Sequence, residues 1–143
     1  MKEEVNRLLH ILPGYRVVVT GHSLGAALAS LTIADLASEI RAPMYLFNFG
    51  CPRVGDLNFA AWFSTFIPNR NRVTHYKDIV PHCPTHFRFT HFSGEFYHED
   101  YSGDDLRACV GFEDPTCSYQ WTHTSLDDHM IYLGVDVGCE SVS

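Results

Sequence analysis

Residues 20–26 read Thr-Gly-His-Ser-Leu-Gly-Ala, placing a serine between glycines two positions before and two positions after it. That spacing suits nucleophilic attack on an acyl carbon. A sharp strand-to-helix turn would hold Ser23 in strained backbone geometry and push its hydroxyl clear of the chain. Side chains at Gly21 and Gly25 are expected to clash with neighbouring backbone, so glycine is needed at both. Leu24 would open the helix, and its N–H could donate to the oxygen that gains charge at an attacked carbonyl. The plainer alternative is a glycine-rich turn whose serine merely caps a helix.

Serine by itself is a poor nucleophile and needs a base, with a further group to orient that base. For a nucleophile on such a turn, the chain order is serine, then Asp or Glu, then His. Asp78 follows a strand candidate at 72–76 and precedes Ile79-Val80-Pro81, so it could orient the base; an exposed loop aspartate is the alternative. Nine histidines compete for the base. His22 adjoins Ser23, but adjacent side chains diverge at a tight turn, so it reads as a packing residue. His75 precedes Asp78 and fails on order. His82, His86, His91 and His98 sit in or beside an aromatic stretch, where structural roles suit them better. His129, at the head of Met130-Ile131-Tyr132-Leu133, is favoured, with His123 second. His82, Cys83 and His86 offer metal ligands, but the spacing matches no standard zinc motif and Pro84 interrupts it.

These residues need elements to hold them. Val5, Leu8, Leu9 and Leu12 fall on one helical face, and Pro13-Gly14 ends that helix. Val17-Val18-Val19 has no alternation, as expected for a strand buried on both faces. A helix from Leu24 to about Ile40 follows, with Leu24, Ala27, Leu28, Leu31 and Leu36 available to pack. Met44 to Phe49 reads as a second buried strand. Asp56 can cap a helix carrying Phe59, Trp62, Phe63 and Phe66. Arg72 to Tyr76 makes a third strand. Beyond it, aromatic segments around Ser93-Gly94 predict a hairpin over 87–97, the acidic, turn-rich residues 99–120 mostly loop, and about 125–133 a short helix. Alternating strands and helices with short connections indicate an α/β fold with a largely parallel sheet.

Composition narrows the partners. Lys and Arg total 10 against 17 Asp and Glu, a net charge of −7, which disfavours binding to nucleic acid and to anionic membranes by charge alone. At 143 residues and 45% hydrophobic content, the chain has material for one core, either a single domain or a piece of a larger one. The opening MKEEVNRLLH shows no signal-peptide pattern. Five cysteines are an odd count. Cys109 and Cys117 bracket a turn-rich loop that a disulfide could staple, and reduced thiols are equally compatible with the spacing.

Four stretches carry a resemblance: VTGHSLGAALASL at 19–31, FGCPRVGDLNFA at 49–60, HYKDIVPHCP at 75–84 and DHMIYLG at 128–134. In order and spacing they resemble the class 3 (fungal-type) triacylglycerol lipases, which are α/β-hydrolases. The resemblance implies Ser23 as nucleophile, Asp78 as orienting acid, His129 as base and the Leu24 N–H as an oxyanion donor. It implies ester hydrolysis through an acyl-enzyme, a lipid or other ester substrate met at a lipid–water interface, and no metal or organic cofactor. It also implies a partial fold, the carboxyl half of a lipase, with the amino-terminal strands and lid absent. One consequence is weakened turnover, since an oxyanion donor is worth about 10² to 10³. Another is an apolar edge at 15–20, prone to self-association. A non-catalytic lipase-derived piece that binds lipid or a partner is the alternative from another class. Cys109 and Cys117 resemble the family's local loop bridge. Cys139 resembles the carboxyl partner of a second bridge to the amino-terminal region. Both imply a secreted parent.

Overall fold

Met1 and the charged first turn lead into helix α1 (Lys2–Ile11), which Leu12, Pro13 and Gly14 bring to an end; Gly14 takes φ +86°, a turn open to glycine. Strand β1 (Val17–His22) then runs directly into helix α2 (Leu24–Ala37). The alternation repeats with β2 (Met44–Phe49), α3 (Leu57–Phe66) and β3 (Arg70–His75). Strands β4 (Glu95–His98) and β5 (Leu106–Ala108) follow, and a small ribbon of β6 (Ile131–Tyr132) and β7 (Val135–Asp136) closes the described chain. Single 3-10 turns occupy Val80–His82, Ser118–Gln120 and Asp127–Met130. The structure, a computed structural model, describes residues 1–99 and 105–138. None of its helices is long and apolar enough to cross a membrane.

The main sheet has the order β1-β2-β3-β4-β5. Its first four strands are parallel and β5 is antiparallel to β4. Pairing of His22 with Phe49 and of Phe49 with Val73 brings the carboxyl ends of β1, β2 and β3 to one edge. Open parallel sheets place ligands at that edge. Behind it lies the core, where Ile33 and Leu36 of α2, Leu46 of β2, Ala60 and Phe63 of α3, and Phe92 are all buried. Asp56 caps α3 as its type predicts, with Oδ1 accepting from the Phe59 N–H at 2.8 Å. Ala26 and Ala29 on α2 are small enough to let that helix lie close to the sheet, and both are buried.

Four expectations need correction. Val17 to Val19 are not buried on both faces: exposure alternates along β1, and the face that carries Val18 is open, with Val18 53% exposed. Leu24, Leu28 and Leu31 of α2 are also exposed: the helix is apolar on both sides, but only one side meets the sheet. The aromatic hairpin over 87–97 does not form. Glu95–His98 instead pairs in parallel with β3, and Thr90 bridges to Gly55. Two contacts outweigh the local hairpin pattern. Phe92 packs against Phe63 with centroids 4.3 Å apart. Gly94 passes so close to β3 that an added Cβ would lie 2.7 Å from the Arg70 carbonyl oxygen. Residues 125–133 form one 3-10 turn followed by a strand rather than a helix.

Candidate active site

Ser23 is the residue between β1 and α2. Its φ of 58° and ψ of −129° lie in a region that non-glycine residues rarely occupy. Its N–H donates to the Phe49 carbonyl at 3.0 Å, which ties the turn to the end of β2. Its hydroxyl makes no capping bond to α2, so the simple helix-cap reading does not apply. Gly21 behaves as expected, because an added Cβ would lie 2.3 Å from the Gly25 carbonyl oxygen. Gly25 does not. A Cβ there would meet nothing within 4 Å, since that side of α2 is open in this chain. Leu24 begins α2, and its N–H is among the first four of a helix, which have no partner one turn back.

Asp78 and His129 meet. His129 Nδ1 donates to Asp78 Oδ2 at 2.8 Å, with both side chains almost wholly buried. That bond places the proton on Nδ1 and leaves Nε2 of the neutral ring as an acceptor. Asp78 is held in turn: its Oδ1 accepts from the Val80 N–H at 2.8 Å, and its own N–H donates to the His75 carbonyl. A bridge to Ser125 links the Asp78 loop to the segment that carries His129. His123 is exposed, its Nδ1 3.2 Å from the Thr122 hydroxyl, and no hydrogen bond among the described residues joins it to Asp78.

Gly50 shows how the pieces fit over the sheet. It follows Phe49, the residue bonded to Ser23, and has φ +56°. An added Cβ would lie 2.9 Å from Asp78 Oδ2, from His129 Cε1 and from the Tyr132 hydroxyl. The imidazole therefore rests over the end of β2, one strand spacing from the Ser23 turn. His22, next to Ser23, stacks on the His129 ring with centroids 4.4 Å apart.

Sequence reasoning missed several of these residues. Tyr132 donates its hydroxyl to Asp78 Oδ2 at 2.5 Å. Burial, and then the carboxylate beside it, push that phenol well above its usual range, so it stays a donor. Its sequence signal was slight: one phenol inside an apolar run. Arg53 lies in the turn after β2. Its Nη1 donates to the His82 and Pro84 carbonyls at 2.6 and 2.7 Å, and its guanidinium pairs with Glu113 at 2.7 Å. It thus braces the loop beyond Asp78 against the Cys109–Cys117 loop, whose disulfide is formed. Cys139 lies outside the described residues. Among those described, only Cys109, Asp114 and Cys117 bring three potential metal ligands within 4.8 Å, and the two sulfurs there are bonded to each other.

Residues 1–88 match the family described as Lipase (class 3). This chain belongs to the class 3 lipase family. It is 40% identical over 134 residues to a lipase of Rhizomucor miehei, covering 88% of this chain and 37% of that protein. It is 30% identical over 138 residues to the secreted mono- and diacylglycerol lipase 1 of Fusarium solani, covering 92% and 41%. A solved triacylglycerol lipase, whose catalytic centre is described as a serine protease triad, superposes with a TM-score of 0.88 at 33% identity. That superposition covers 95% of this chain and 54% of the other. This class 3 lipase chain therefore spans less than half the length of the curated relatives it matches. The mostly parallel sheet is that of the α/β-hydrolase fold of its lipase neighbours.

Proposed function

We propose that Ser23, His129 and Asp78 form the catalytic triad of a serine carboxylic-ester hydrolase that acts on acylglycerols. The observation that carries this reading is the buried His129–Asp78 bond beside a serine held at positive φ. His129 Nε2 would take the Ser23 proton as Oγ bonds to the ester carbonyl carbon. It would then return that proton to the departing alcohol as the C–O bond breaks. The resulting acyl-enzyme is hydrolysed by a water that His129 deprotonates, and Ser23 regains its proton. The Leu24 N–H would donate to the oxyanion in both steps. Asp78 fixes the tautomer and stabilises the imidazolium. None of these steps calls on a metal or organic cofactor.

A lipid surface is the proposed partner. Leu24, Ile79 and Met130 each adjoin one triad residue in sequence, and they are 69%, 37% and 38% exposed. Each of the three proposed catalytic residues thus has an exposed apolar neighbour in sequence. Secretion of the parent protein is proposed on the Cys109–Cys117 bridge together with the Fusarium relative, which is named as secreted. Self-association through the β1 edge is proposed on its open position and on exposed Val18.

Covalent labelling tests the triad. A fluorophosphonate should modify Ser23 in this chain, and Ser23→Ala should abolish the adduct seen by mass spectrometry. Asp78→Asn should slow labelling by about 10⁴, because it removes the group that sets the His129 tautomer. A folded chain that takes no label would leave a lipid-binding, non-catalytic role.

A further inference from the structure

The turn that carries His129 is a single 3-10 segment, Asp127–Met130, and such short segments have little internal stabilisation. Two histidines at the ends of strands grip its successive carbonyls. His75, the last residue of β3, donates from Nδ1 to the Asp128 carbonyl at 2.9 Å. His22, the last residue of β1, meets the His129 carbonyl through Nε2 at 3.0 Å. A carbonyl only accepts, so Nε2 of His22 carries the proton. The same ring stacks on His129 at 4.4 Å with 26° between planes, and meets the edge of Tyr132 at 5.4 Å. Both the main chain and the ring face of His129 are thus set from the residue next to Ser23. Burial, and then the neighbouring His129, push His22 below the ordinary imidazole range, so the stacked partner is neutral.

We propose that His22 is a positioning residue: its Nε2–H and ring face hold the His129 imidazole over the Ser23 turn, with His75 as the second anchor of the same segment. This goes beyond packing, because it couples the strand end that presents the nucleophile to the rotamer of the base. The proposal rests on the triad reading above. It predicts that the bond donor and the ring face contribute separately, and that losing the donor affects the site more than the fold.

His22→Phe keeps an aromatic face and removes the donor. His22→Gln removes the ring and keeps an amide that can reach the same carbonyl. Two readouts apply to each: the rate of Ser23 modification by a fluorophosphonate, and the far-downfield proton resonance of His129 Nδ1–H on Asp78. The expected result is a labelling rate lowered about tenfold in the Phe variant, with that resonance broadened and the melting temperature little changed. The Gln variant should recover to within about threefold of the unsubstituted chain. Wild-type labelling and an undiminished resonance in His22→Phe would overturn the proposal. Should the unsubstituted chain itself fail to label, the hydrolase reading fails. The resonance, which requires no reaction, still decides the role of His22.

Discussion

Asp78 Oδ2 accepts from both His129 and Tyr132, so one oxygen sets the orientation of the base and anchors the following strand. A hydrogen bond to a charged group contributes about 1.5 kcal/mol, roughly a tenfold rate effect if it acts in the transition state. Tyr132→Phe should therefore lower kcat/KM on a short activated ester about tenfold, with cooperative unfolding retained. An unchanged rate would reduce the phenol to packing. Its neighbour in space, Gly50, has no side chain for a plain reason: any Cβ would enter the Asp78–His129–Tyr132 cluster. Neither residue belongs to a motif that names its role. Their importance lies in three atoms meeting at one point.

At the level of elements, the two glycines around Ser23 separate. β1 and α2 pass so closely that Gly21→Ala forces its Cβ to 2.3 Å from the Gly25 carbonyl oxygen. That clash should destabilise the chain by several kcal/mol or prevent folding. Gly25→Ala meets open space and replaces the weaker helix former, so denaturant unfolding should show no loss, or a gain of up to about 1 kcal/mol. Equal damage from both would mean that the exposed side of α2 is covered in solution. The β1 edge bears on the same question. Light scattering should show association, and the amides at 17–19 should gain protection from exchange as concentration rises. A monomer at all concentrations would remove the proposed edge pairing.

For the molecule as a whole, buried histidines tie stability to pH. Burial first, then the nearby Arg72, hold His91 well below its ordinary value of 6.5. Burial likewise lowers His82 and His22. The unfolded chain therefore binds protons that the folded chain excludes, and stability falls as pH drops below 6.5 and is level above it. Glu113 adds to this at lower pH. Burial raises its carboxyl, but the Arg53 guanidinium and the His91 N–H more than reverse that, so its net shift is downward from 4.5. Its contribution is present above 4.5 and is lost as pH falls below that value. Denaturant midpoints measured between pH 7.5 and 5 should decline on the acid side, and His91→Gln should flatten the decline. A midpoint independent of pH over that range would contradict the neutral burial of these rings.

Much of this was legible in the one-dimensional pattern because the signals are local. The β1–α2 unit, the Asp56 cap, the strands at 44–49 and 72–76 and the serine between its glycines each depend on residues within a few positions of one another. Chain order and its place after a strand made Asp78 a candidate, the apolar run 130–133 favoured His129 over His123, and the structure brings Asp78 and His129 within hydrogen-bond distance. Pairings that span long sequence distances were not legible. Whether 95–98 folds back as a hairpin or joins β3 depends on Phe92 meeting Phe63 and on Arg72 pairing with Glu95 inside the sheet. Whether His22 is packing or a grip on His129 depends on a contact 107 positions away. Periodicity reports which face of an element is apolar, but only the assembled sheet decides what that face meets. Leu24, Leu28 and Val18 carry the apolar types expected of a core and remain exposed, since burial belongs to the arrangement of elements and not to any one of them.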